Sequence, residues 1–134
     1  MRKLTYTAII TSALAALSQN LYAHGEDQLG PHKGYIRMPG AYHVEVVPKK
    51  NNIHVMLLDI NFKNPTVLNS HIKAKISSGK ETYTLHCTPS SYYFSCPANS
   101  ELLTHNGKLI IESERLLAEG MPVEYPLPLR LKKS

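Results

Sequence analysis

An antiparallel β-sandwich, immunoglobulin-like or cupredoxin-like in shape, is the fold class this sequence predicts, and three observations predict it. Apolar and polar residues alternate in short runs, as in Tyr42-His43-Val44-Glu45-Val46 and Ile53-His54-Val55-Met56-Leu57, which is the period of a half-buried strand. Turn chemistry recurs at roughly the eight-to-twelve-residue spacing of sandwich strands. Only Ser113 to Glu119 offers a window for a helical turn, so an all-β arrangement of about eight strands in two layers follows.

The first strand is Tyr35-Ile36-Arg37, broken by Met38-Pro39-Gly40. Tyr42, Val44 and Val46 then share one face, and after Pro48 to Asn52 turns the chain, Ile53, Val55 and Leu57 share the matching face of an antiparallel neighbour. That register puts His43, Glu45, His54 and Met56 together on the opposite face. Asp59 to Asn69 is a loop, and Ile72, Ala74 and Ile76 then alternate with His71, Lys73 and Lys75, which makes His71 a surface residue on a cationic row. Ser78-Gly79-Lys80 turns the chain into the next run, Thr82 to Cys87, which is expected to pair with Tyr92 to Cys96 across Pro89-Ser90-Ser91. His86 points away from the core on this run. His105-Asn106-Gly107 carries the Asn-Gly hairpin signal, and Lys108 to Ser113 is a strand with Leu109 and Ile111 on one face. In the last extended run Val123, Tyr125, Leu127, Leu129 and Leu131 share a face, while Pro126 and Pro128 lack amide donors and confine it to an edge.

Domain organisation follows from the start of the chain. Arg2 and Lys3, the apolar stretch Ala8 to Leu17, and Leu21-Tyr22-Ala23 have the three parts of an export signal, so residues 1–23 are assigned as a signal peptide. A cut after Ala16 and retention as an N-terminal anchor are the alternatives. The apolar stretch is short of the ~20 residues that span a bilayer. Cleavage after Ala23 leaves 111 of the 134 residues, enough for one domain. Residues 24–33 hold Gly25, Gly30 and Pro31 with little apolar content and are expected to be flexible, and residues 34–134 form the single domain. The chain is then destined for the periplasm or secretion.

Two cysteines in an exported chain, Cys87 and Cys96, are most simply one disulfide stapling a hairpin, with both sulfurs on the apolar face. Their C-x₈-C spacing matches no standard metal pattern. Without Arg2 and Lys3, 13 basic residues face 10 acidic ones, and the lysines are scattered rather than interleaved with aromatics, which argues against nucleic acid.

The candidate chemistry is metal binding. A chain beginning at His24 offers an α-amine and an imidazole from one residue, a pair that chelates Cu(II), and His32 or His43 could add a third nitrogen. His43, His54 and Met56 on the sheet face are a second candidate group, for which an ordinary half-exposed face is the competing interpretation. No catalytic residue is assigned: the chain has neither Gly-x-Ser-x-Gly nor His-Glu-x-x-His.

The runs Gly30-Pro31-His32-Lys33-Gly34-Tyr35-Ile36-Arg37-Met38, Tyr42 to Val47 and Ile53 to Asp59 resemble the small periplasmic metal-associated β-sandwich proteins related to domains that accompany heavy-metal efflux adaptor subunits. The resemblance covers roughly residues 24 to 80. The resemblance implies an exported protein that binds or delivers a metal ion, copper by family habit, with a periplasmic efflux or delivery protein as partner. A disulfide-stapled protein-interaction module without metal is the alternative, and a small copper-dependent oxidative enzyme is a third.

Overall fold

The computed structural model describes residues 26–132; the expected signal peptide and His24 lie outside them. Two antiparallel sheets face each other. The first has the order β1-β2-β3-β7-β6, from β1 (Tyr35–Arg37), β2 (His43–Lys49), β3 (Asn52–Leu58), β6 (Thr88–Pro89) and β7 (Phe94–Pro97). The second has the order β10-β8-β4-β5, from β4 (His71–Ser78), β5 (Glu81–Leu85), β8 (Gly107–Arg115) and β10 (Val123–Leu127), with β9 (Ala118–Glu119) paired to β8. A short helix α1 (Ser100–Thr104) lies between β7 and β8. The protein is therefore an all-β antiparallel sandwich. Among the described residues no helix is long and apolar enough to cross a membrane.

Strand parity builds the core. Val44 pairs with Leu57 and Val46 with Val55, so Tyr42, Val44, Val46, Ile53, Val55 and Leu57 all face the second sheet, which returns Ala74, Ile76, Leu109, Ile111, Tyr125 and Leu127. Each fully buried aliphatic side chain contributes about 1.5–3 kcal/mol. Tyr125 is wholly buried and donates its hydroxyl to the Val44 carbonyl at 2.9 Å; burial pushes its pKa up, which keeps that donor proton in place. Arg37 is also buried. Its Nε donates to the Glu124 carbonyl and its Nη1 to the Ile36 carbonyl, both at 2.8 Å, and the guanidinium lies 4.7 Å from the Tyr125 ring centroid. As Pro126 requires, β10 is an edge strand.

The disulfide joins Cys87 to Cys96, with Cys96 fully buried and Cys87 packed against the core. The hairpin it staples differs from the expected one. Glu81–Leu85 pairs with β4, not with the strand of Cys96, and the chain then crosses between sheets so that Thr88 and Pro89 pair with Ser95 and Phe94. Alternation alone fixes which face a residue takes, whereas the sheet that receives it depends on which edge is open.

Two further expectations are corrected. The helix lies at Ser100–Thr104, where the Asn99 side chain accepts the Glu101 amide at 2.9 Å and caps the first turn. The Asn106-Gly107 pair therefore links α1 to β8 rather than two strands. Ser113 to Glu119, expected to hold a helical turn, instead continues β8 into a two-residue hairpin, with Glu114 opposite Glu119 and Arg115 opposite Ala118. Its loop is Leu116-Leu117, with φ of +47° and +68°. Both leucines are exposed, at 47 % and 72 %. Both amides are engaged, Leu116 N with Ser70 Oγ at 3.1 Å and Leu117 N with the Asn69 carbonyl at 3.0 Å.

Left-handed backbone at two consecutive leucines costs about 1–2 kcal/mol per residue, where Asn-Gly adopts it with little penalty. The double replacement Leu116→Asn/Leu117→Gly keeps both amides and is expected to raise the unfolding free energy by about 1–2 kcal/mol in total. Urea melts with an unchanged slope check this. A destabilised double variant would mean that the leucines make contacts worth more than the strain.

Candidate functional site

The outer face of the first sheet, away from the core, carries most of the candidate residues. On β2 it presents His43, Glu45 and Val47, and on β3 His54, Met56 and Leu58, in the register His43 opposite Leu58, Glu45 opposite Met56 and Val47 opposite His54. Ile36, Val47, Met56 and Leu58 form a second buried apolar cluster here, with Phe62 and Tyr93 packed against it. This face is covered, not half-exposed.

Phe62 and Tyr93 cover its flanks, and the segment before β1 covers Glu45 between them. Residues 26–33, expected to be flexible, are docked. Leu29 bridges to Tyr35. Gly30 N donates to the Gly34 carbonyl at 2.8 Å, Lys33 N donates to the Gly30 carbonyl at 2.9 Å, and Lys33 takes a left-handed φ of +61°. At the other end of the segment, Glu26 is tied to Lys132 through a 2.8 Å ion pair and a 3.2 Å backbone hydrogen bond.

The turn from Gly30 to Gly34 closes around the Glu45 carboxylate, which is fully buried. Glu45 Oε2 accepts the amides of His32 and Gly34, each at 2.9 Å, and Oε1 lies 2.7 Å from His32 Nδ1. The approach needs glycine: a Cβ on Gly30 would sit 2.5 Å from Glu45 Oε2, and one on Gly34 would sit 2.6 Å from the Val46 carbonyl oxygen. A buried carboxylate is costly unless its oxygens are satisfied. Here three donors satisfy them.

This arrangement orients His32. A carboxylate only accepts, so a ring proton sits on Nδ1, and in the neutral imidazole Nε2 is the nitrogen that carries the lone pair. The side chain is 34 % exposed, and among the described residues nothing bonds to Nε2. A carboxylate behind the far nitrogen is the arrangement that orients an imidazole as a metal ligand and raises its basicity.

The other sequence-predicted ligands are placed differently. His43 is 3 % exposed, stacks on Phe62 with centroids 3.9 Å apart, and has Nδ1 at 3.1 Å from the Asp59 carbonyl oxygen. Met56 is also buried, at 3 %. His54 stacks on Tyr93 at 4.2 Å; burial, and then the charge of Lys49, hold its pKa below the ordinary imidazole value. His43 and His54 share a face as expected. They do not share a site, because Leu58 opposite His43 is four residues along β3 from His54, about 13 Å at the strand rise. Glu45, between them, is committed to the turn. His71 is exposed, as expected, and the row facing its strand carries acids, since Glu114 stands opposite His71 and Glu112 opposite Lys73.

Two aromatic residues were not singled out from the sequence. Tyr92 stacks on His32 at 6.2 Å and meets Tyr93 edge-on at 5.2 Å, so the rings His32, Tyr92, Tyr93 and His54 run in series along this face. The turn carrying Tyr92 and Tyr93 starts one strand beyond β3, and only the sheet order brings it beside the N-terminal segment.

Among the described residues no three His, Cys, Asp or Glu side chains come together as a metal-ligand group. Copper therefore does not fit a site made from these residues alone, of which His32 supplies one oriented nitrogen. No protein-family model, curated protein or solved structure matches the chain.

Proposed function

We propose that this chain is an exported metal-binding protein that holds copper for periplasmic binding or delivery, with its site at the N-terminal segment. His24 supplies the α-amine and one imidazole nitrogen, and His32 supplies the next. The single observation that carries the reading is the buried Glu45, whose carboxylate holds His32 Nδ1 at 2.7 Å and leaves Nε2 to a ligand. Two features support it. The glycines that admit the carboxylate and the imidazole that it orients belong to the same five-residue turn, and His32 lies eight residues after His24. His43, His54 and Met56 fall outside this set, for the reasons of register and burial given above.

The test is a Cu(II) titration of the exported protein, with N-terminal sequencing to establish that it begins at His24. Adding one residue before His24 removes the amine–imidazole chelate and leaves every imidazole in place. His32→Ala removes the third nitrogen. Each change is expected to weaken Cu(II) by at least about tenfold, or ~1.4 kcal/mol, and to alter the electron-spin-resonance spectrum, while His71→Ala leaves both unchanged. Because an α-amine titrates near 8, binding must displace its proton, so affinity is expected to rise with pH through roughly 6 to 8. An extended protein with the parent's affinity and spectrum, or an exported chain starting elsewhere, would end the proposal.

A further inference from the structure

The sandwich is not closed along one side. β5 ends at Leu85, opposite Ala74, while the first three residues of β4, His71 to Lys73, are paired only with β8 among the described residues. After Leu85 the chain leaves for the first sheet, where β6 is the outermost strand. At this seam lie two adjoining cavities that share Ile72 and Cys87. One, of about 560 Å³, opens over Lys73, Lys75, Thr84, Ile110 and Glu112 on the outer face of the second sheet. The other, of about 400 Å³, is lined by Val67, Pro89 and Phe94 beside Asn69, Ser70 and His71. Both volumes fall in the roughly 300–1,000 Å³ range of small-molecule sites.

We propose that this seam binds a medium-chain fatty acid, with its carboxylate at the outer mouth and its alkyl chain along the seam. The polarity of the lining runs in that direction. At the mouth, Lys75 stands between Thr84 on β5 and Ile110 on β8, so neither cross-strand neighbour offers it a carboxylate. Glu112 stands opposite Lys73 and offsets that charge. Among the described residues neither lysine is in an ion pair. Lys75 is therefore the uncompensated cation, and the exposed Thr84 beside it brings a hydroxyl donor to the same carboxylate.

Further in, the lining turns apolar. Val67, Ile72 and Cys87 are half-buried residues packed against the core, and Phe94 beside them is buried. An alkyl chain laid there takes from water apolar surface that the fold leaves partly wet. A cationic amphiphile would meet Lys75, and a small anion would leave the apolar lining uncovered. A peptide strand fits less well, since the open stretch of β4 is three residues long. The His32 turn closes on Glu45 of the first sheet, so the inference does not depend on metal.

Titration of the metal-free, oxidised protein with decanoate, followed through amide NMR shifts, tests this. Decanoate is expected to bind one to one, with the largest shifts at residues 71–75, 84–88 and 110–112. Affinity is expected to rise roughly tenfold from octanoate to decanoate as two more methylenes are buried. Decyltrimethylammonium has the same chain with the opposite charge, and acetate has the head group without the chain; each is expected to bind at least about tenfold more weakly than decanoate. Lys75→Glu changes an exposed residue and is expected to weaken decanoate by at least about tenfold with the melting temperature unchanged. Lys75→Gln, which removes the charge without reversing it, repeats the test if the glutamate variant folds poorly. No binding of decanoate, shifts centred elsewhere, or an affinity that neither Lys75 variant lowers would overturn the proposal. So would decyltrimethylammonium binding as tightly, which means a groove blind to charge, or acetate binding as tightly, which means a surface lysine alone.

Discussion

Glu45→Ala is expected to lower the unfolding free energy by about 3–5 kcal/mol, the cost of breaking a buried charged hydrogen-bond network by removing one partner. The side chain has no exposure, and its loss strands the amides of His32 and Gly34, each worth about 1–3 kcal/mol when buried without an acceptor. The turn then loses what holds it to the sheet, so the Gly34 amide is expected to exchange early in hydrogen-exchange measurements. Glu45→Gln keeps the volume and one acceptor oxygen and is expected to cost less, yet it exchanges an acceptor-only group for one that can also donate to His32 Nδ1. That change releases the tautomer, and Cu(II) affinity is expected to fall by about 10–100-fold, the usual cost of losing such a partner. An alanine variant within about 1 kcal/mol of the parent would show that other contacts hold the segment.

Replacing both Cys87 and Cys96 with serine is expected to cost about 2.7 kcal/mol from the loop-entropy model for so short a closure, and somewhat more because a serine hydroxyl at the fully buried position 96 has to be desolvated. The loss is expected to be general rather than local to the segment before β1, since β7 joins β3 and β6 at the far side of the first sheet from β1. Copper affinity is therefore expected to stay within a few-fold. Mass spectrometry of the unreduced protein should find two hydrogens fewer than in the reduced form, and an alkylatable pair of thiols would contradict the linkage.

Much of the core was legible because a strand repeats every two residues. Tyr42, Val44, Val46, Ile53, Val55 and Leu57 were assigned to one face from alternation, and the Pro48 to Asn52 turn set their pairing. The edge position of β10 was legible for a different reason, the chemical incapacity of Pro126 to donate. The β5 strand shows where such reasoning stops. Its alternation was correct, but the choice between pairing with Tyr92 to Cys96 and pairing with β4 is a choice between two edges, and both leave Leu85 facing the core. The Leu116-Leu117 hairpin was illegible for a stronger reason: local preference argues against it, and the amide bonds to Asn69 and Ser70 override that preference.

The candidate site divides in the same way. The sequence by itself determined that His43, Glu45, His54 and Met56 share a face, that Gly30 and Gly34 punctuate the segment leading into the first strand, and that the two cysteines fall on the apolar side. Only the tertiary structure decided that this face is covered, that His43 and His54 are too far apart to share an ion, and that Glu45 spends its oxygens on the turn and on His32. The physical reason is the difference in range. Parity is a property of each residue and its immediate neighbours, whereas satisfaction of a buried carboxylate requires donors thirteen and eleven residues away, and nothing in the local pattern of either segment records which of them will meet.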